Sequence, residues 1–149
     1  MIRQEVETFV DRPIGEVFAY LADLDNVPRH DPWVEEIEQT SSGPVGVGAT
    51  WRNVRRMGRR RIEAPIEVVE YEPDRRLTIV SDSGPIRVKA AQTFESSGTG
   101  TLVREVVTMS ISGPLKIMQP VIGRSLRKQA EETHRRFKEI LQQRPPRQG

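Results

Sequence analysis

Residues Leu115–Leu141, LKIMQPVIGRSLRKQAEETHRRFKEIL, decide the fold. Leu115, Met118, Ile122, Leu126, Phe137 and Leu141 recur at helical spacing, with Ala130 or Thr133 filling the middle. Steps of three and four put these side chains on one face of an α-helix. The other face carries Arg124, Arg127, Lys128, Glu131, Glu132, Arg135, Arg136 and Lys138. On it Glu131/Arg135 and Glu132/Arg136 meet one turn apart, each pair contributing about 0.3 kcal/mol. Pro120 has no backbone N–H to donate, which predicts a short turn over Leu115–Gln119, a break or kink, and the main helix beyond. A helix this amphipathic needs an extended apolar surface to lie on. Bent over a concave sheet, it leaves space beneath it.

The preceding residues supply that surface. In Ile2–Val10, Ile2, Gln4, Val6 and Thr8 point one way and Arg3, Glu5, Glu7 and Phe9 the other, the period of a half-buried strand. Asp11–Arg12–Pro13 ends it, and Ile14, Val17, Phe18 and Leu21 form the stripe of a short helix reaching about Asp23. Leu24–Pro32, with two prolines, reads as a loop or a single helical turn. Trp33–Thr40 reads as a short strand and Ser41–Gly48 as a glycine-rich loop. From there the signal is repeated β-structure over Ala49–Met57, Arg61–Tyr71, Leu77–Ser81, Ile86–Glu95 and Leu102–Ile111, with turns at Gly58, Glu72–Asp74, Asp82–Pro85 and Ser96–Gly100. Sequential strands with local turns predict an antiparallel meander, so the class is α+β: a curved antiparallel sheet with two short helices after its first strand and a long C-terminal helix.

The 149 residues predict one domain over 1–142, followed by a tail, 143–149, that its Gln, Arg and Pro content marks as disordered. Lysine plus arginine number 23 against 21 aspartates and glutamates. Near balance argues against a dedicated nucleic-acid binder, which would show a clear excess of cations on one element. No cysteine is present, which excludes disulfides, thiolate chemistry and cysteine-held zinc. The chain enters its first strand without a basic and then apolar leader, and no apolar run approaches about twenty residues. A cytoplasmic protein without a transmembrane segment is expected.

Several phrases occur in order: VDRPIGEVFAYLAD at Val10–Asp23, PWV at Pro32–Val34, GVGATW at Gly46–Trp51, VEYEPDRRL at Val69–Leu77 and GTLV at Gly100–Val103. With the order of elements they resemble the helix-grip, START-like (SRPBCC) superfamily, and within it the polyketide cyclase/dehydrase and lipid-transport group. The likeness covers about residues 2–142. It implies a seven-stranded sheet wrapped around the C-terminal helix, with an apolar cavity between them. Members bind sterols, lipids, quinones, polyketides or hormones, and a minority carry out cyclisation or dehydration. The resemblance implies a hydrophobic small-molecule ligand and no cofactor.

The strand faces then name the residues that would line such a cavity. In the last strand Val103, Glu105, Val107, Met109 and Ile111 share the more apolar side, which puts the Glu105 carboxyl inside. A buried carboxyl needs a partner or takes up a proton, and either state suits a ligand hydroxyl or a general acid. On Ile86–Phe94, Val88 and Gln92 share the inward face. Ile62, Ala64, Ile66 and Val68 form a wall, which leaves Pro65 on the outer face. Met118, Ile122, Leu126 and Gln129 line the helix side, and Trp33 and Trp51 are either aromatic walls or core. His30, with Asp31 to orient its ring, and Glu105 are the candidates for proton transfer. His134 falls at the border of the helical stripe. Two isolated histidines without spaced carboxylates do not make a metal site.

A second reading follows from Arg52–Arg61, RNVRRMGRRR, the strongest charge feature in the chain. An interaction protein with a filled core would use this hairpin to contact another protein or a polyanion. It lacks the interleaved aromatics of single-strand binders, and no phosphate loop, nucleophile elbow or dinucleotide fingerprint is present.

Overall fold

Alternation in β1 (Ile2–Val10) carries into the structure without a slip. Ile2, Gln4, Val6 and Thr8 are half-buried, Val10 is buried, and the residues between them are exposed. The computed structural model describes residues 1–144. After β1 come α1 (Ile14–Ala22), a 3-10 turn (Leu24–Asn26) and the one-turn α2 (Val27–His30). Six strands follow: β2 (Val34–Gln39), β3 (Thr50–Met57), β4 (Arg60–Glu72), β5 (Arg76–Asp82), β6 (Ile86–Ser97) and β7 (Gly100–Ile111). A 3-10 turn, Gly113–Met118, leads into α3 (Gln119–Gln143). The seven strands form one antiparallel sheet in the order β1-β7-β6-β5-β4-β3-β2, so only β1 is out of sequence. This is the expected α+β helix-grip architecture. Registers shift between Val34 and Glu36 and between Val68 and Glu70, and such bulges bend and twist the strands that carry them. Gln143 closes α3, and the remainder of the expected tail, 145–149, lies outside the described residues.

Pro65 lies on the outer face, opposite Arg52 of β3. Pairing with β5 begins only at Ile66, so the proline sits where that flank of β4 is unpaired and no ladder hydrogen bond is lost. Pro120 produces no kink within the helix. It occupies the first turn of α3, where a missing N–H costs nothing, and the break predicted there is the change from 3-10 to α at Met118–Gln119. Three residues per turn before the junction and 3.6 after it throw the apolar stripe out of phase. Met118 is therefore 44% exposed, and its neighbours Ile117 and Val121 are 85% and 58% exposed.

The long helix is tied down at both ends. Near its start, Gln4 Nε2 donates to the Gly123 carbonyl at 2.6 Å. At its end Arg12 donates to the carbonyls of Leu141 (2.9 Å), Gln142 (3.1 Å) and Arg144, so a single guanidinium takes up two carbonyls of the last turn and that of the residue capping it. On the solvent face Glu132 pairs with Arg136 at 2.9 Å as expected. Arg135, however, chooses Glu132 and Glu139, and Glu131 pairs with Arg127.

Two apolar clusters fill the concave side. The larger joins α1, the C-terminal half of α3 and the sheet. It includes Val17, Phe18, Trp51, Val68, Phe94, Val103, Phe137 and Leu141, all nearly inaccessible. Phe18 meets Tyr71 and Phe94 edge-on at centroid distances of 5.4 and 5.1 Å. The smaller cluster, Ile86, Met109 and Ile111, is covered by half-buried Ile2, Met57, Val88, Leu115, Ile122 and Leu126. Turn geometry is tightest at Gly100, where a Cβ would stand 2.5 Å from the Val10 carbonyl oxygen and press into the Phe9 ring. Backbone cannot retreat as a flexible side chain can. Gly100→Ala is therefore expected to lower the unfolding free energy by about 2 kcal/mol, read by urea denaturation. An unchanged midpoint would show that β1 and β7 separate there at no cost.

Candidate functional site

A polar seam crosses the concave side between the two clusters. Its centre is Glu105, which projects inward from β7 with its side chain 15% exposed. Oε1 accepts from His134 Nε2 at 3.1 Å and Oε2 from Gln92 Nε2 at 2.9 Å. His134 Nδ1 lies 2.8 Å from the Thr8 hydroxyl. A carboxylate only accepts, so Nε2 carries the ring hydrogen and, in the neutral ring, Nδ1 accepts from Thr8. The chain Thr8–His134–Glu105–Gln92 thus links β1, α3, β7 and β6. Burial pushes the Glu105 carboxyl up, but the hydrogen bond and charge of His134, helped by Gln92 and His30, outweigh it and hold it below the ordinary carboxylate range. Glu105 is therefore ionised at neutral pH. It can accept from a hydroxyl, and it holds no proton to give as a general acid.

Beside the seam lies a second pair. His30, at the end of α2, is 5% exposed, and its Nδ1 is 3.0 Å from the Tyr20 hydroxyl. Its ring meets Phe137 edge-on at 5.9 Å, and His134 packs on the same phenylalanine at 4.7 Å. Burial pushes the His30 imidazole down to about 4. Asp31 and Glu105 draw it upward and His134 opposes them, without cancelling the burial. His30 does not pair with Asp31, because adjacent side chains diverge. Asp31 accepts instead from the Trp33 N–H (3.0 Å) and from Arg55 (3.1 Å). Arg55 also reaches Gln129 Oε1 at 3.3 Å, so one guanidinium bridges β3, α2 and α3.

The remaining residues expected to line a cavity fall into different surroundings. Trp51 and Ile66 belong to the large, filled cluster, and Ala64 and Val107 are buried. Val88, Ile122 and Leu126 cover the small cluster and are half-buried, as is Ile62 on β4. Trp33 is half-buried in the turn before β2 and joins neither cluster. Met118 is exposed, for the phase reason given above. The arginine-rich hairpin is largely neutralised by its neighbours. Arg52 engages Glu36 and Glu63, Arg55 engages Asp31, and Arg56 and Arg61 share Glu35. An open depression on β5–β7, edged by Asp82, Arg87, Lys89, Thr108 and Ser110, lies apart from the seam and contains none of its groups.

Three residues of the seam and its surroundings were not anticipated. His134 is 3% exposed, not at a border. Its signal was in the spacing, since Ala130, His134, Phe137 and Leu141 are the residues that α3 buries, at steps of four, three and four. Tyr20 carried no signal beyond its place in the stripe of α1. Asn53 shares the inward side of β3 with Trp51 and Arg55, and its polar type masked the alternation. Among the described residues, Trp51 Nε1 and Asn53 Oδ1, one donor and one acceptor two residues apart, have no hydrogen-bond partner, and neither does Gln4 Oε1.

Backbone positions give the space between helix and sheet its shape. α3 runs close to β1 and α2 and stands off from the middle strands, so large side chains must span the gap. Beneath the C-terminal half they do. Beneath the N-terminal half the walls are aliphatic, with Ile86, Met109 and Ile111 buried and the residues over them only half-buried.

The same architecture recurs in solved structures. TTHA0849 from Thermus thermophilus is 18% identical, with a TM-score of 0.80 over 93% of this chain and 96% of that one. DR_A0006 from Deinococcus radiodurans is 16% identical, with a TM-score of 0.70 over 94% and 97%. The di-domain ARO/CYC BexL from the BE-7585A biosynthetic pathway is 17% identical, with a TM-score of 0.72 over 97% of this chain and 48% of that one. At these identities the likeness is one of fold. No curated protein matches the chain. The family model for polyketide cyclase / dehydrase and lipid transport matches residues 1–142, and the chain belongs to that family.

Proposed function

We propose that the protein binds an apolar or aromatic small molecule between the sheet and the N-terminal half of α3, with its polar end toward the Glu105–His134 seam. One observation carries this reading. Met57, Ile62, Val88, Ile122 and Leu126 face the concave side yet are only half-buried, while the other end of the same interior is densely filled. An aliphatic surface left partly open beside buried polar groups is the usual composition of a ligand site. Ionised Glu105 suits a ligand hydroxyl or phenol, which can donate to it. The Asn53 side-chain carbonyl, without a partner among the described residues, offers an acceptor on the same side of the sheet. Family membership supports a hydrophobic ligand in general terms. A cyclisation or dehydration at this site would need a proton acceptor, and ionised Glu105, backed by His134, is the group equipped for that.

Thermal shifts with a panel of hydroxylated polyketides, quinones and sterols test the reading. At least one class is expected to raise the Tm in proportion to the logarithm of its concentration. Val88→Trp, which fills the space from β6, is expected to abolish that shift while leaving the ligand-free Tm within a few degrees. A panel without any shift, or shifts that persist in Val88→Trp, would place binding elsewhere.

A further inference from the structure

At the open end of the interior, two lips flank the small apolar cluster. One is the β3–β4 hairpin, whose Met57 packs on that cluster. The other is the 3-10 turn and first turns of α3, whose Leu115, Ile122 and Leu126 pack on the same residues. Beyond those covered residues each lip presents groups that the protein leaves unused. Ile117, Met118 and Val121 are 85%, 44% and 58% exposed, three of the few large apolar side chains on the surface, and they lie within five positions of one another. Lys116, Arg124 and Lys128 surround them, exposed and without ion pairs among the described residues, and the hairpin tip adds Arg59 and Arg60 in the same condition. No acidic residue occurs from Val106 through Ala130. The neighbouring hairpin arginines are matched to Glu35, Glu36 and Glu63, so the unmatched cations are concentrated at the tip.

We infer that these two lips dock on an anionic lipid surface, with Ile117, Met118 and Val121 entering the headgroup region and the lysines and arginines resting on lipid phosphates. Charge complementarity argues for the occupant. Cations alone would serve any polyanion, but exposed isoleucine, methionine and valine among them match a surface that is negative outside and apolar just beneath. A nucleic acid would leave those side chains without a partner, and no exposed aromatic is present on either lip for base stacking. The position gives the contact a purpose. A ligand that is poorly soluble in water would pass between membrane and interior without crossing solvent. For that purpose, though not for its geometry, the inference rests on the interior-binding reading above.

Co-sedimentation with phosphatidylcholine vesicles, with and without phosphatidylglycerol, at low and high salt, tests it on the full chain. Binding is expected only with phosphatidylglycerol and is expected to weaken with salt. The double variant Ile117→Ser, Val121→Ser touches no buried residue and is expected to lower the vesicle affinity at least about tenfold. Arg59→Ala with Arg60→Ala is expected to lower it by a similar factor and to flatten the salt dependence. Absence of binding to either vesicle overturns the inference. So does binding that Ile117→Ser, Val121→Ser leaves intact while heparin competes it away, which would make the lips a general polyanion surface. A change of oligomeric state in that variant, without vesicle binding by the parent, would assign the apolar tip to a second copy of the chain and equally overturn it. Thermal shifts without vesicles keep the two readings apart. Ligand shifts without vesicle binding remove the docking surface alone, and vesicle binding without ligand shifts removes the interior site alone.

Discussion

Glu105→Ala is expected to lower the unfolding free energy by about 3 kcal/mol, one of the two largest effects in this molecule. The cost arises less from the lost contacts than from what they leave behind. Without the carboxylate, His134 Nε2 and Gln92 Nε2 both point into a space with no acceptor, on a helix and a strand that cannot turn them toward water. Glu105→Gln keeps the volume and one carbonyl oxygen. Its amide can accept from His134, while Gln92 must flip to present its own oxygen, and a loss of about 1 kcal/mol is expected. Replacing three of the four seam groups, Glu105→Leu with His134→Phe and Gln92→Leu, is expected to recover most of the stability, because it leaves only the hydroxyl of half-buried Thr8 to be satisfied by water. Urea denaturation reads all three, and the coupling between Glu105 and His134 follows from a double-mutant cycle. The apolar triple variant separates stability from function. If Glu105 receives the ligand's hydroxyl, this variant stays folded and loses the ligand-dependent thermal shift. An alanine variant as stable as the parent would mean that His134 and Gln92 are already hydrated, and that the seam is a wet surface and not the floor of a site.

The fold was legible because its signal is carried by apolar residues whose spacing needs no partner to interpret. Ile62, Ala64, Ile66 and Val68 name the inward face of β4, and Val103, Val107, Met109 and Ile111 that of β7, whatever lies opposite. The resemblance added the order of strands. The seam was half legible. Glu105 and Gln92 were placed inward by their apolar neighbours, and they do meet across the β6–β7 register. His134 was misjudged because histidine in a helical stripe looks like a border residue unless its partner is known, and Thr8 lies 126 positions away. Asn53 was missed because its alternation with Trp51 is real but polar. Met118 shows a different limit. Its place in the stripe assumed a single helical period through a junction where the period changes. Pairwise choices among arginines, such as Arg135 with Glu139, depend on rotamers that spacing does not select.

Stability is also expected to fall as the pH drops from about 6.5 to about 4, by roughly 3 kcal/mol in all, with His30 as the cause. In the unfolded chain this imidazole takes up a proton near its ordinary value of 6.5, whereas in the folded chain burial delays protonation until about 4. Between those values the unfolded state binds the extra proton, so its population gains as the solution becomes more acidic. Tyr20, Asp31, Glu105, His134 and Phe137 face the ring or act on it, and Arg29 adjoins it in α2. Glu105 works in a different window. Its depressed carboxyl contributes stability that is present above the ordinary value of 4.5 and is lost as pH falls through the lower folded value, so it adds to the decline only at the acid end. His30→Gln retains a polar atom near the Tyr20 hydroxyl but cannot titrate. Denaturation at about pH 7 and about pH 5 should show the parent losing roughly 2 kcal/mol and His30→Gln less than about 0.5 kcal/mol. An equal slope in both would assign the decline to another group. A parent indifferent to pH across that range would mean that the folded state accepts the His30 proton as readily as water does. The ring would then be solvated, and the space beside Phe137 would be open to solvent and not closed over by α1 and α2.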